Sequence, residues 1–241
     1  MIDLKKVTYS YADHTALSEI TMKIEQGESV ALIGPNGSGK STLMKVISGL
    51  IYPDRGTYVF DGTKITEKQM KEASFSKSFH KQTGFVFQNP DTQLFCGSVY
   101  EEIAFGPNQM GLSENEVRSR VSDSLELMGI SGFEEREPYH LSGGEKKRVA
   151  IAATVALNPD VYLFDEPMNA LDPKSKRFLR QFMIDLTQAG KTVICSTHDF
   201  SYVDGVFQRA AVFSEDHRLI RDDDYESVIN DRAFLREQNI I

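Results

Sequence analysis

The sequence predicts an α/β fold: a mostly parallel sheet with crossover helices, a β-rich N-terminal part and a helical insert. Three observations predict it. The loop Gly34-Pro35-Asn36-Gly37-Ser38-Gly39-Lys40-Ser41-Thr42 lies between a short apolar run and a helical pattern. Continuous apolar runs at 29–33, 161–164 and 192–195 alternate with helical stretches, as parallel strands with crossovers do. From Asn89 to about Lys147 the pattern becomes helical, interrupting that alternation. The chain is expected to be one domain over 1–241, with a core of 1–88 and 148–241 and a helical insert at 89–147.

In order, residues 2–4 and 7–9 carry strand formers, and 20–24 alternate apolar and polar positions. Tyr9 and Tyr11 fall in the first hairpin, either as exposed strand tyrosines or as an aromatic face for a purine. After the strand 29–33, the loop fits G-x-x-x-x-G-K-[ST] at every fixed position. Its glycines let the backbone curl so that N–H groups converge on phosphate oxygens. Lys40 reaches the outer phosphates, and the Ser41 hydroxyl can join a Mg²⁺ shell. The helix that follows, ending near Gly49, adds its positive pole.

Residues 57–60 with Asp61-Gly62 read as a strand and hairpin turn. Residues 63–80 are polar and loosely patterned, with a short helix expected near 66–73. Residues 84–87 form a buried strand that Gln88-Asn89-Pro90 ends. In the insert, Ser98 with Glu101 and Ser113 with Glu116 have capping-box spacing. Val117, Val121, Leu125 and Met128 recur at helical spacing, and Gly129 stops that helix. Asp172-Pro173 opens a helix whose apolar face is Phe178, Leu179, Phe182, Met183 and Leu186, ended by Gly190. Residues 210–214 and 218–220 suggest two strands around a turn at Asp216-His217, followed by the acidic run Asp222-Asp223-Asp224 and a terminal helix.

The composition narrows the function classes. With 27 basic and 35 acidic residues the net charge is −8, which argues against a nucleic-acid partner. Cys96 and Cys195 stand far apart in no metal-ligand spacing, which suits a reducing interior. The N-terminus lacks a signal-peptide stretch. No apolar run approaches the ~20 residues that span a bilayer, so any membrane role is borrowed from a partner.

Two further stretches carry chemistry. Asp165-Glu166 close a buried strand, where paired carboxylates are costly unless they serve a cation or a proton transfer. Asp165 is placed to hold Mg²⁺, and Glu166 to orient and polarise an attacking water. Leu141-Ser142-Gly143-Gly144-Glu145 reads as a capping box, but a cap does not need two glycines. Exposed N–H groups at Gly143 and Gly144 make a second anion site. If the insert projects away from the core, the economical way for both sites to serve one phosphate is two chains arranged head to tail, each completing the other's site. The triplet Lys146-Lys147-Arg148 is expected to be a solvated helix face.

Together the phosphate loop, Gln88, the LSGGE run, Asp165-Glu166, Ala170-Leu171-Asp172 and His198 resemble, in that order, the ATP-binding cassette ATPases, the motor subunits of ABC transporters. The resemblance implies a P-loop NTPase (RecA-like) core with an N-terminal antiparallel β subdomain and an inserted helical signature subdomain. It implies two ATP molecules, with Mg²⁺, sandwiched at a dimer interface. It implies that Tyr11 stacks on adenine, that Gln88 senses Mg²⁺ and the transport partner, that His198 contacts the γ-phosphate and that Asp172 lies across the interface. Met168-Asn169 replace the small residues more usual before Ala-Leu-Asp.

A narrower resemblance, carried by Gln88-Asn89-Pro90-Asp91-Thr92-Gln93-Leu94-Phe95, by residues 99–107 and by residues 145–152, is to the energy-coupling-factor importer ATPases. Those take up cobalt or nickel ions, biotin and other vitamins. This implies a second ATPase chain, a transmembrane coupling subunit and a substrate-binding membrane subunit as partners, at the cytoplasmic face of the membrane. A long C-terminal regulatory domain is not expected. The alternatives are an ATPase of another ABC transporter class and a soluble ABC ATPase of repair or translation; the latter usually carries two cassettes or a long coiled coil. Leu94 and Phe95 either pack under the insert or form a groove, with Glu101 and Glu102 at an acidic rim, that receives a helix of the membrane partner.

Overall fold

The computed structural model describes residues 1–241. Two sheets share the chain. The first is antiparallel and built from β1 (Ile2–Tyr11), β2 (His14–Ile24), β4 (Arg55–Phe60) and β5 (Thr63–Lys64), in the order β2-β1-β4-β5. Asp61 and Gly62, both at positive φ (45° and 77°), make the tight β4–β5 turn that their sequence promised.

The second sheet has the order β10-β9-β3-β8-β7-β6. Its strands are β3 (Ser29–Ile33), β6 (Thr83–Val86), β7 (Val161–Asp165), β8 (Thr192–Ser196), β9 (Arg209–Phe213) and β10 (Leu219–Asp224). All neighbours are parallel except the β9–β10 edge pair. The crossovers carry α1 (Lys40–Ile47), α2 (Glu67–Met70), α3 (Ala73–Gln82), α4 (Val99–Gln109), α5 (Glu114–Leu127), α6 (Gly143–Val155) and α7 (Pro173–Gln188). Two short helices, α8 (Tyr225–Asn230) and α9 (Arg232–Glu237), follow β10.

Alternation along the parallel strands divides the interior in two. Ala31, Ile33, Tyr162, Phe164, Val193 and Cys195 face one core, shared with α4 to α7. Val30, Leu32, Val161, Leu163 and Ile194 face the other, shared with α1 and the antiparallel sheet. Helix α7 buries Leu179, Phe182, Met183 and Leu186, each contributing ~1.5–3 kcal/mol of transfer free energy. Because every parallel strand is covered on both faces, its loops at the carboxyl end are the free surface on which a site forms.

Four local expectations change. Residues 73–82 form the helix α3, which a polar stretch did not announce; it buries only Phe79. At Ser98 only half of the capping box forms: Ser98 Oγ accepts from the Glu101 N–H at 3.2 Å, but Glu101 Oε2 accepts from Gly97 N–H at 3.1 Å. The strand expected at 218–220 runs on through the acidic run to Asp224 as β10, where Asp222 pairs with Arg209 and Asp224 caps α8.

The fourth change concerns Lys146-Lys147-Arg148, which is not a solvated face. Lys147 is 3% exposed and donates to the carbonyls of Phe87 (3.0 Å) and Gln88 (2.6 Å). Burial pushes its ammonium down to about 8, with Asp165 and Cys195 pulling it the other way. Lys146 pairs with Asp91 at 2.6 Å, and Arg148 donates to the Met128 carbonyl at 3.0 Å and lies over the Phe178 ring.

Candidate functional site

Four loops at the carboxyl ends of β3, β6, β7 and β8 converge on one cleft of about 440 Å³. Residues 36–42 of the phosphate loop form one side, and Gln88, Glu166, Asn169 and His198 form the other. Gly34 and Pro35 open the loop, and their carbonyls accept from Lys40 Nζ at 2.7 and 2.8 Å. Lys40 is buried, and burial lowers its pKa while the Glu166 and Asp165 charges act against that shift.

Gly39 sits at φ 105° just before α1, and a Cβ there would lie 2.2 Å from the Ala16 carbonyl oxygen. Glycine is therefore required both by the backbone angle and by the strand behind it. Gly39→Ala is expected to cost about 2 kcal/mol or more. A thermal midpoint within a degree of wild type would contradict this.

Asp165 ends β7 behind the cleft, 5% exposed. Its Oδ1 accepts from Ser41 Oγ at 2.9 Å and from Ser196 Oγ at 2.7 Å. The next residue, Glu166, takes a left-handed φ of 43°, which costs about 1–2 kcal/mol for a residue with a Cβ. Its N–H donates to Ser196 Oγ at 2.8 Å, which holds that turn. The turn swings the Glu166 side chain into the cleft rather than along the strand. There Oε2 accepts from Gln88 Nε2 at 3.1 Å and from Asn169 Nδ2, and Oε1 lies 3.6 Å from His198 Nδ1.

Ser196 and Asn169 are the functional residues that sequence reasoning missed. Asn169 carried a signal, because it stands where a small residue is usual; Ser196 was visible only as the end of an apolar strand. Ser41, Asp165 and Gln88 supply hydroxyl, carboxylate and amide oxygens. Such a hard-oxygen set, with few carboxylates, fits Mg²⁺, which keeps waters and substrate phosphate oxygens in its shell.

Six expected site residues stand apart from the cleft. Ser142, Gly143, Gly144 and Glu145 open α6 as a full capping box: Ser142 N–H donates to Glu145 Oε2 at 2.8 Å, and Glu145 N–H to Ser142 Oγ at 3.4 Å. The Ser142 hydroxyl bond lowers the Glu145 pKa. Asp172 caps α7, accepting from the N–H groups of Lys174 (2.8 Å) and Ser175 (3.0 Å). Its pKa is lowered by the Ser175 hydroxyl bond. Tyr11 lies at the exposed end of β1, edge-on to Tyr9 with ring centroids 4.9 Å apart, and is not among the residues lining the cleft.

The family comparisons agree with this geometry. Residues 17–169 match the ABC transporter family model, and the chain belongs to that family. It is 57% identical, over all of both chains, to a putative ABC transporter ATP-binding protein of Clostridium acetobutylicum. It is 41% identical to the energy-coupling factor transporter ATP-binding protein EcfA of Methanothermobacter thermautotrophicus, covering all of this chain and 76% of the relative. It is 42% identical to the nickel import ATP-binding protein LarO of Lactiplantibacillus plantarum, covering 92% of each. Among solved structures, it matches the dimeric post-hydrolysis ATP-binding cassette MJ0796 bound to ADP and phosphate, with TM-score 0.83 and 30% identity over 93% of this chain and 98% of that one. The chain is thus an ABC-type ATPase with a P-loop NTPase (RecA-like) core, and it resembles the energy-coupling-factor ATPases.

Proposed function

We propose that this chain is the ATP-hydrolysing motor of an energy-coupling-factor importer, peripheral to the cytoplasmic face of a membrane and working as a head-to-tail dimer with a second copy or a close relative. The observation that carries the dimer is the separation of the two anion sites. Ser142–Glu145 lie outside the cleft that holds Lys40, Glu166 and His198. Gly143 has nothing within 4 Å of a Cβ, and Gly144 only the far end of Leu171, so packing inside the chain does not require glycine at either position. Bare N–H groups at the start of a helix suit a phosphate approaching from outside.

In this reading the phosphate-loop amides and Lys40 hold the phosphates of ATP in one chain, and Ser142, Gly143 and Gly144 of the other chain close over the γ-phosphate. Glu166 accepts the proton of the attacking water, oriented by Gln88 and Asn169. His198, whose Nδ1 lies 3.6 Å from Glu166 Oε1, contacts the γ-phosphate in this reading. Bound Mg²⁺ would be held by Ser41, Gln88 and Asp165 and would neutralise phosphate charge. Tyr11 offers an aromatic face to adenine, and Asp172 meets the partner chain.

No helix is long and apolar enough to cross a membrane, so transport needs membrane subunits. The groove between the core and the insert suits one. Leu50, Phe95 and Phe105 are exposed beside it, with Phe95 edge-on to Phe105 at 5.0 Å. Leu94 instead packs into the core, so the two apolar loop residues divide. The acidic rim must be redrawn as well. Glu102 is 4% exposed, and its Oε2 accepts from the N–H groups of Phe95 (2.9 Å) and Cys96 (2.8 Å). It shapes the loop from the groove floor, while Glu101 is exposed and does not line the groove.

The cargo is a transition-metal ion such as nickel or cobalt, or a vitamin such as biotin, selected by the membrane subunits. The net charge of −8 disfavours nucleic acid as the partner. Phe95→Asp is expected to weaken co-purification with the transmembrane subunit by ~10-fold or more, while basal ATP hydrolysis stays within about twofold. Unchanged assembly and transport in that variant would reject this groove as the membrane contact.

A further inference from the structure

Helix α6 is stitched to the loop that carries Gln88 by three side chains. Lys147 Nζ donates to the Phe87 and Gln88 carbonyls at 3.0 and 2.6 Å. Lys146 reaches Asp91 Oδ1 at 2.6 Å. From the loop side, Gln93 accepts from the Phe87 N–H at 3.2 Å and donates to the Ala150 carbonyl at 3.3 Å. Lys146 and Gln93 are partly exposed, and an ion pair or an amide at such a place is ordinary. Lys147 is different. It is buried and makes no ion pair, so its ammonium is desolvated for the sake of two backbone carbonyls. An apolar side chain of the same length would fill that space without this cost.

What the cost secures is the position of Gln88. The side chain of Gln88 is exposed and has Glu166 as its hydrogen-bond partner at 3.1 Å, so its placement depends on its backbone. That backbone is clamped by a residue two positions after Glu145, at the start of the helix whose N-terminus carries Ser142-Gly143-Gly144. We propose that Lys147 is a positioning residue for hydrolysis: it makes the signature helix and the Gln88 backbone one rigid body, so that closure over the γ-phosphate sets the distance from Gln88 to Glu166. This rests on the reading of Glu166 as the residue that activates water. Lys147 itself stays behind the loop and touches no substrate.

A double-mutant cycle separates positioning from simple structural support. Lys147→Met keeps the stem and loses the donors; Gln88→Ala removes the side chain to be positioned. Single-turnover hydrolysis of Mg-ATP, readable even when slow, is measured in all four proteins. Lys147→Met alone is expected to slow hydrolysis ~10-fold with ATP affinity within about twofold. In the Gln88→Ala background the same change is expected to alter the rate by less than about twofold.

Lys147→Arg, which retains donors, is expected to recover part of the rate. Should Lys147→Met fail to fold, Lys147→Gln enters the same cycle with the same expectation. Equal fold-losses in both backgrounds, a loss confined to ATP affinity, or wild-type hydrolysis in the single variant would each overturn the proposal. Retained hydrolysis in Glu166→Gln would instead overturn the site reading, whatever the cycle shows.

Discussion

Glu166→Gln is expected to bind ATP and fail to turn it over. The substitution keeps the size of the side chain, and its remaining amide oxygen can still accept from Gln88 or Asn169. It removes the only carboxylate that lines the cleft. Hydrolysis should fall by ~10²-fold or more, the usual contribution of a positioned general base. Because the phosphate loop, Lys40 and the signature are intact, nucleotide affinity is retained and an ATP-bound dimer accumulates on size-exclusion chromatography. Near-normal turnover would remove Glu166 from the mechanism and leave the strained turn at φ 43° without a purpose.

Lys40→Ala is expected to fail one step earlier, at binding. The ammonium of Lys40, the first residue of α1, is buried against the Gly34 and Pro35 carbonyls. A hydrogen bond to a charged group is worth ~1.5–3 kcal/mol, so ATP affinity should drop about 10–100-fold. The same variant tests the shared site. Ser142→Arg fills the entrance of α6 with a bulky cation and, as a homodimer, should not close. Mixed with excess Lys40→Ala chains, it forms heterodimers in which one site joins an intact phosphate loop to an intact signature. Hydrolysis should then rise above that of either variant. If confirmed heterodimers never exceed the separate proteins, each chain works alone.

Much of the site was legible because its chemistry depends on residue type at fixed local spacing. A phosphate cradle needs glycines, then lysine, then a hydroxyl, and those are adjacent in sequence. Asp165-Glu166 stood out because two carboxylates at the end of a buried strand are costly. Capping at Ser113, Ser142 and Asp172 was readable for the same reason: each involves residues within one turn of a helix.

Most of the misreadings involve partners outside the helix that carries the residue. Lys147 looked like one of three surface cations, but it is buried because the carbonyls of residues 87 and 88 lie over it, some 60 positions away. Glu102 looked like a rim carboxylate, but the loop of Phe95 and Cys96 folds back onto it. Helix α3 escaped because its apolar stripe is only Phe75 and Phe79, one turn apart, and it is held by Phe79 packing on Phe60 and Gly49.

The sequence by itself determined the class of fold, the phosphate loop, the carboxylate pair and the family, since each is written in residues that act through their immediate neighbours. The tertiary structure decided which side chains line the cleft. It alone showed that Ser196 holds both Asp165 and the Glu166 turn, that Asn169 and Gln88 share the Glu166 carboxylate, and that the signature helix is clamped to the Gln88 loop. Those contacts join loops at the carboxyl end of a parallel sheet. Sequence spacing says nothing about the order in which strands lie side by side, and it is that order that brings the loops together.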